Sequence, residues 1–156
     1  MNTSAYTYLV KILSLRDYSE FNLREKLKER KYSFDEIENA ICEIKNKGYL
    51  REDLYASSRI KIFMEKGYSP TYILQKMEQE NITITLENID AVFNEHQISH
   101  EDQIERLVRK KIQGKSDFDF KSENKILRYL ISKGHDFSLA KKIMTNIMTE
   151  AHSLQY

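Results

Sequence analysis

The sequence predicts an all-α fold of three tandem three-helix, helix-turn-helix-like repeats stacked into an elongated, curved array. The 156 residues include only 4 glycines and 1 proline, too few turn signals for a sandwich or barrel of many short strands. With 40% apolar and 31% charged residues, the composition favours small helical units over one large spherical core. Apolar residues recur at helical spacing, and the pattern itself repeats after about 50 residues.

Local signals mark where the helices begin and end. A cation followed by glycine is typical of helix C-termini, and this pair occurs as Lys47-Gly48, Lys66-Gly67 and Lys133-Gly134. Side-chain oxygens accept hydrogen bonds from the first free N–H groups of a helix, and the predicted N-caps are Ser19, Ser33, Ser69, Ser99 and Asp136. The predicted helices span 4–14, 19–30, 34–47, 52–66, 70–80, 85–96, 100–113, 121–133 and 137–151. The alternating stretch 82–85 has no partner strand nearby and is predicted to be a loop.

Two offsets relate the helices to one another. Residues 30–41 align with 133–144 without a gap at an offset of 103, which places Ile37 over Ala140. An offset of 50 pairs Leu23 with Ile73 in a middle copy. The predicted repeats are 1–50, 51–98 and 99–156. Because three short helices alone bury little apolar surface, neighbouring repeats are expected to stack.

The chain contains none of the common catalytic motifs. It has no glycine-rich phosphate loop, no nucleophile elbow, no cysteine cluster and no His-Glu-x-x-His helix. We therefore predict no enzyme activity, no catalytic residue, no metal and no cofactor. His96 and His100 have the spacing of two metal ligands, but a cap at Ser99 would separate them, so both are predicted to be solvated loop histidines. Cys42, the single cysteine, is predicted to be a buried structural thiol.

The apolar pattern predicts where the chain is located in the cell. No apolar run approaches the roughly 18 residues of a membrane span, and the amino terminus has no secretion pattern. The chain is predicted to be a soluble cytoplasmic monomer without membrane contact.

Most aromatic residues fall on core-spaced positions, among them Phe34, Phe63, Phe93 and Phe137. Three tyrosines near helix junctions are candidates to face a partner: Tyr49, Tyr68 and Tyr72.

Charge is distributed unevenly along a chain whose net charge is +1. Residues 51–100 hold 5 basic and 8 acidic side chains, whereas 106–142 hold 11 basic and 4 acidic ones. The candidate partner-binding residues are two stripes with i, i+4, i+7 spacing and one dense patch: Arg24, Lys28 and Lys31; Lys121, Lys125 and Arg128; and Arg109, Lys110 and Lys111. A solvated helix face explains any one of them, but the set favours an acidic or phosphate-bearing partner.

Residues 13–27 (LSLRDYSEFNLREKL) resemble the opening of the RecX family of recombinase regulators, with its leucines, arginine, serine-glutamate and L-x-x-K-L pattern. The resemblance continues through Gly48-Tyr49-Leu50, Tyr55-Ala56 and the segment 66–70 (KGYSP), and it covers nearly the whole chain. It departs from the family at Arg51-Glu52, where members usually carry an acidic pair.

The resemblance implies three tandem three-helix units and no catalytic residues. It implies a bacterial cytoplasmic protein that binds RecA, especially RecA filaments on single-stranded DNA, and inhibits ATP hydrolysis, strand exchange and filament extension. The residues themselves leave direct DNA contact open. They also leave open two other classes, a general helical nucleic-acid-binding protein and a scaffold for some other protein.

Overall fold

The computed structural model describes residues 4–115 and 117–153. These residues form nine α-helices and no strand, and each helix lies within two residues of its predicted span. The helices are α1 (Ala5–Leu13), α2 (Glu20–Glu29), α3 (Phe34–Asn46), α4 (Glu52–Glu65), α5 (Pro70–Gln79), α6 (Leu86–Glu95), α7 (His100–Ile112), α8 (Phe120–Ser132) and α9 (Phe137–Ser153). The predicted repeats 1–50 and 99–156 also include residues 1–3, 116 and 154–156, which lie outside the described residues.

The predicted N-caps are confirmed by hydrogen bonds. The hydroxyl oxygen of Ser19 accepts from the backbone N–H of Asn22 at 3.1 Å, and Ser69 accepts from that of Tyr72 at 3.2 Å. Capping boxes begin α3 at Ser33 and α7 at Ser99. The predicted cap at Asp136 is also present. Local cap chemistry therefore fixes where these helices start.

A left-handed residue follows α2, α5 and α8 at equivalent places. Lys31, Asn81 and Gly134 have φ angles of 66°, 60° and 88°. Their numbers differ by the two offsets found in the sequence, 50 and 103. The same backbone turn therefore ends the second helix of each of the three tandem three-helix repeats. The repeat boundaries, the stacking of the repeats and its curvature stay predictions.

The chain forms two compact units. The N-terminal unit comprises Met1–Arg59 and Glu80–Thr83, and the C-terminal unit comprises Ile60–Gln79 and Ile84–Tyr156. In the N-terminal unit α1 and α2 pack on α3 around fully buried Leu9, Leu23 and Ile44. The C-terminal unit contains a core formed by α7, α8 and α9. That core includes Ile104, Leu107, Val108, Ile112, Ile126, Leu127, Leu130, Ala140, Met144, Ile147 and Met148.

Three residues predicted to be buried lie at the surface instead. Phe34 and Phe137 are 75% and 50% exposed. Each is the first residue of its helix, and a helical side chain leans over the preceding turn, which is absent there. Cys42 is exposed because the buried stripe of α3 passes through its neighbour Ile41 rather than through residue 42. Phe63 and Phe93 are buried as predicted.

Within the described ranges, no helix is both long enough and apolar enough to cross a lipid bilayer.

Candidate partner-binding surface

Arg24 on α2 forms ion pairs with carboxylates of its own unit. Its guanidinium contacts the Glu38 carboxylate on α3 and also Glu20, with 3.2 Å between Nη2 and Oε1. Lys45 Nζ lies 2.6 Å from the same Glu20 oxygen. Hydrogen bonding to Lys45 lowers the pKa of Glu20, and hydrogen bonding to Glu38 raises that of Arg24. This network joins α2 to α3, so the charge of Arg24 is balanced within the fold.

The other two members of the α2 stripe differ from Arg24. Lys28 is exposed and pairs with Glu25 at 3.2 Å, an i, i+3 contact on the same helix. Lys31 is exposed at the left-handed position after α2 and forms no ion pair among the residues that the structure describes. The stripe therefore presents fewer uncompensated charges than the spacing predicts.

The basic patch at the end of α7 also contains both paired and unpaired cations. Arg109 Nη2 lies 3.0 Å from Glu105 and 3.2 Å from Glu150 on α9. Lys110 is exposed and pairs with no carboxylate in the described part of the chain. Lys111 is exposed too, and its Nζ lies 4.3 Å from the ring centroid of Tyr129 on α8. Lys110 and Lys111 are therefore the members of this patch that a partner's anions could neutralise.

The α8 stripe is the largest group of uncompensated cations in the candidate set. Lys121, Lys125 and Arg128 are all exposed, and none forms an ion pair within residues 4–115 and 117–153. Their spacing places them on one face of α8. The contact of Lys111 with Tyr129 brings the end of α7 beside the same helix. The C-terminal unit therefore holds five of the six unpaired candidate cations.

The structure places Arg51 and Glu52, the departure from the family pattern, against α2. Arg51 Nη2 lies 3.1 Å from an Asp17 carboxylate oxygen. The Glu52 carboxylate accepts a hydrogen bond from the backbone N–H of Glu20 at 2.9 Å, at the start of α2. The carboxylate at position 52 thus interacts favourably with a helix N-terminus, where the helix dipole stabilises negative charge.

Sequence reasoning missed two buried polar residues that hold the α4–α5 turn of the C-terminal unit. The Gln103 amide donates to the carbonyl oxygens of Met64 at 3.1 Å and Tyr68 at 2.8 Å. His135 is 3% exposed, and its Nε2–H donates to the Gly67 carbonyl oxygen at 2.7 Å. The Lys133 carbonyl also accepts from Ser69 N–H at 2.9 Å. These partners are 35 to 68 residues apart in sequence, so no local motif signals them.

His100 is not the solvated loop histidine that the sequence predicts. It begins α7, it is half-buried, and its ring lies 5.3 Å from that of His135. Its Nε2 is buried without a hydrogen-bond partner among the described residues. No group of three or more residues suited to hold a metal ion occurs in that part of the chain.

The free energy of unfolding is expected to fall as the pH is lowered from about 7.5 to about 5.5, in part because of His135. Burial lowers the pKa of His135 below its ordinary value, and nearby His100 and Lys133 act in the same direction. Below about pH 6.5 the unfolded chain therefore binds a proton that the folded chain does not. Urea unfolding at a series of pH values measures this effect.

His135→Gln provides the comparison for that experiment, because its amide can donate to the Gly67 carbonyl but does not titrate. The variant should lose less stability than the wild type over the same pH range. An identical pH dependence in the two proteins would show that His135 is not the responsible group.

The chain is similar to known proteins over most of its length. The family model described as RecX, first three-helix domain, matches residues 5–43. A regulatory protein RecX from Haemophilus influenzae is 31% identical over 135 residues, which are 86% of this chain and 88% of that protein. The chain belongs to the RecX family. Another regulatory protein RecX, from Legionella pneumophila, is 26% identical over 93% of this chain and 95% of its own length.

Solved RecX structures share the fold. The crystal structure of RecX from Lactobacillus salivarius superposes with a TM-score of 0.70 at 17% identity, covering 91% of this chain and 93% of that one. A second crystal structure, of regulatory protein RecX, gives a TM-score of 0.69 at 20% identity and covers 89% and 69% of the two chains. The helical RecX fold predicted from the sequence is therefore confirmed.

Proposed function

We propose that this RecX-family chain regulates the RecA recombinase. It binds RecA filaments on single-stranded DNA and inhibits ATP hydrolysis, strand exchange and filament extension. It acts without catalytic chemistry of its own, as a monomer in the bacterial cytoplasm. The observation that carries the proposal is the 31% identity to a protein named regulatory protein RecX over 88% of that protein's length.

The charge of the C-terminal unit supports a polyanionic partner. Lys110, Lys121, Lys125 and Arg128 are exposed and lack carboxylate partners among the residues described. Neighbouring like charges repel one another, and this repulsion is relieved when a partner supplies anions. An acidic recombinase surface and the phosphates of a bound strand both meet this requirement.

Inhibition requires that the regulator distinguish between states of the filament. A bound protein shifts a conformational equilibrium only by its difference in affinity for the two states. We propose that the chain binds more tightly to a filament state in which RecA hydrolyses ATP slowly. When bound near a filament end, it also obstructs the addition of the next RecA subunit.

The test is RecA-dependent ATP hydrolysis on single-stranded DNA, measured while the chain is titrated in. Hydrolysis should fall and reach a plateau near stoichiometric concentrations. The same titration with the DNA omitted controls for effects on the ATPase assay itself. No change in hydrolysis at stoichiometric concentrations would refute the proposed function.

Reversing the charges of the α8 stripe is expected to weaken this inhibition by about tenfold or more. The variant is Lys121→Glu, Lys125→Glu and Arg128→Glu combined. A matched control, Lys121→Arg, Lys125→Arg and Arg128→Lys, keeps the charges at the same positions and should inhibit like the wild type. Inhibition by the reversed variant at wild-type concentrations would exclude the α8 stripe as a contact.

A general nucleic-acid-binding protein is the second candidate, favoured by the excess of seven basic side chains in residues 106–142. In that case the chain would bind duplex DNA without RecA, and its affinity would fall steeply with salt. Combined reversal of Arg109, Lys110 and Lys111, assayed on filaments and on bare single strands separately, distinguishes the two functions. An equal loss on both ligands, with RecA-independent duplex binding lost as well, favours the second candidate, and a loss confined to filaments favours regulation of RecA.

A further inference from the structure

A row of tyrosine rings and lysines crosses the C-terminal unit. The rings of Tyr68 and Tyr72 stack with their centroids 4.7 Å apart and their planes 10° from parallel. Phe63 supports Tyr68 from the side in an edge contact at 5.8 Å. Stacked rings held in this way form a ready surface for a further flat ring.

Lysines lie between and beside these rings. Lys133 Nζ is 4.2 Å from the Tyr68 centroid and 5.4 Å from that of Tyr129. Lys76 lies 5.4 Å from Tyr72. Lys111 lies 4.3 Å from Tyr129. We call this row the tyrosine–lysine strip, and its members are Lys76, Tyr72, Tyr68, Lys133, Tyr129 and Lys111.

Apart from the contacts between lysines and rings, the polar side-chain groups of the strip have no partner among the described residues. None of its three lysines forms an ion pair with a carboxylate in the described part of the chain. The three tyrosine hydroxyls form no hydrogen bond there, and none of them is buried from solvent. All three tyrosines are half-buried, so part of each side chain is accessible to solvent.

The support beneath the strip is tightly packed. The Ser69 N–H donates to the Lys133 carbonyl at 2.9 Å, which ties the start of α5 to the end of α8. His135 binds the Gly67 carbonyl directly beside Tyr68. A surface that is fixed in this way before binding loses little conformational entropy when a ligand arrives.

We propose that the tyrosine–lysine strip binds single-stranded nucleic acid. Bases stack on the rings of Tyr72 and Tyr129, where they replace the Lys76 and Lys111 ammonium groups that lie over these rings. The displaced lysines and Lys133 then neutralise the phosphates. A single strand fits this chemistry because its unpaired bases expose their faces, whereas a duplex hides them. The inference goes beyond the proposed function because this contact requires no recombinase.

The test is the fluorescence anisotropy of a labelled 15-nucleotide thymidine strand, titrated with the full chain in the absence of RecA. The matched probe is an abasic strand of the same length, which keeps the phosphates but lacks the bases. The wild type should bind the thymidine strand about tenfold more tightly than the abasic strand. Equal affinity for the two strands would refute base stacking.

Variants locate the contact. Tyr72→Leu combined with Tyr129→Leu keeps apolar bulk on both helices and should reduce the preference for bases about tenfold or more. Phe34→Leu, at an exposed aromatic residue of the N-terminal unit, should leave the preference unchanged. Circular dichroism verifies that each variant is folded. An unchanged preference in the double variant would overturn the assignment.

A second pair of measurements keeps the inference testable if the tyrosine variants unfold. Lys76→Gln should lower the slope of log affinity against log salt concentration by about one. Tighter binding to a duplex, or equally tight binding to polyglutamate, would also contradict the proposal, because neither ligand exposes base faces.

Discussion

Replacing Gly134 by alanine is expected to lower the free energy of unfolding by about 2–4 kcal/mol. Gly134 has a φ angle of +88°, which residues with a β-carbon rarely adopt. A β-carbon here would lie 2.6 Å from Cβ of Tyr72 and would overlap the Ser69 hydroxyl oxygen as well. Both neighbours lie at the start of α5, where the Ser69 side chain is the N-cap that accepts from the Tyr72 N–H. The new methyl group therefore cannot be accommodated without disturbing that cap.

Gly48→Ala measures the backbone strain separately from the steric overlap that also destabilises Gly134→Ala. The φ angle of Gly48 is +71°, close to that of Gly134, but a β-carbon at Gly48 would meet nothing within 4 Å. It should cost only about 1 kcal/mol, from backbone strain alone. Urea denaturation of both variants measures the difference. Equal losses in the two proteins would mean that the close approach of Gly134 to α5 does not exist in solution.

Gln103→Leu is expected to cost about 1–3 kcal/mol in the free energy of unfolding. Gln103 is 4% exposed, and its amide group serves two backbone carbonyls at the α4–α5 turn. The Met64 carbonyl retains a second bond from the Gly67 N–H, whereas the Tyr68 carbonyl would lose the amide that bonds it at 2.8 Å. The main cost is therefore the half-buried Tyr68 carbonyl oxygen, which is left without its amide partner.

The control for this substitution is Gln75→Leu. Gln75 is exposed within α5, so the same chemical change should alter stability by no more than about 0.5 kcal/mol. Thermal and urea unfolding of both variants provide the comparison. A Gln103→Leu protein as stable as the control would show that the amide bonds contribute nothing to the turn.

Helix ends were predictable because their chemistry is local. Ser19, Ser33 and Ser99 each accept from an N–H three residues ahead, and such a pattern is visible in sequence. Asparagine adopts the left-handed conformation seen at Asn81 comparatively often, whereas lysine, which adopts it at Lys31, has no intrinsic preference for it. There the repeated turn overrides the preference of the residue.

The site was less predictable because its properties depend on contacts between distant helices. Arg24 and Lys125 look alike in the charge pattern, yet Glu38 on α3 engages only Arg24. His135 contacts a carbonyl 68 residues away. The stacking of Tyr68 on Tyr72 could be predicted from their spacing of four residues. The contact of Lys133 with Tyr68 could not, because it depends on tertiary packing.

We propose that the chain recognises the RecA filament rather than DNA in general. The most direct measurement is the affinity of fluorescently labelled chain for preassembled RecA filaments on single-stranded DNA, beside the same DNA without RecA. We expect saturable filament binding that is at least about tenfold tighter than binding to the bare strand. Equal affinity for the two, or no binding to filaments, would contradict it.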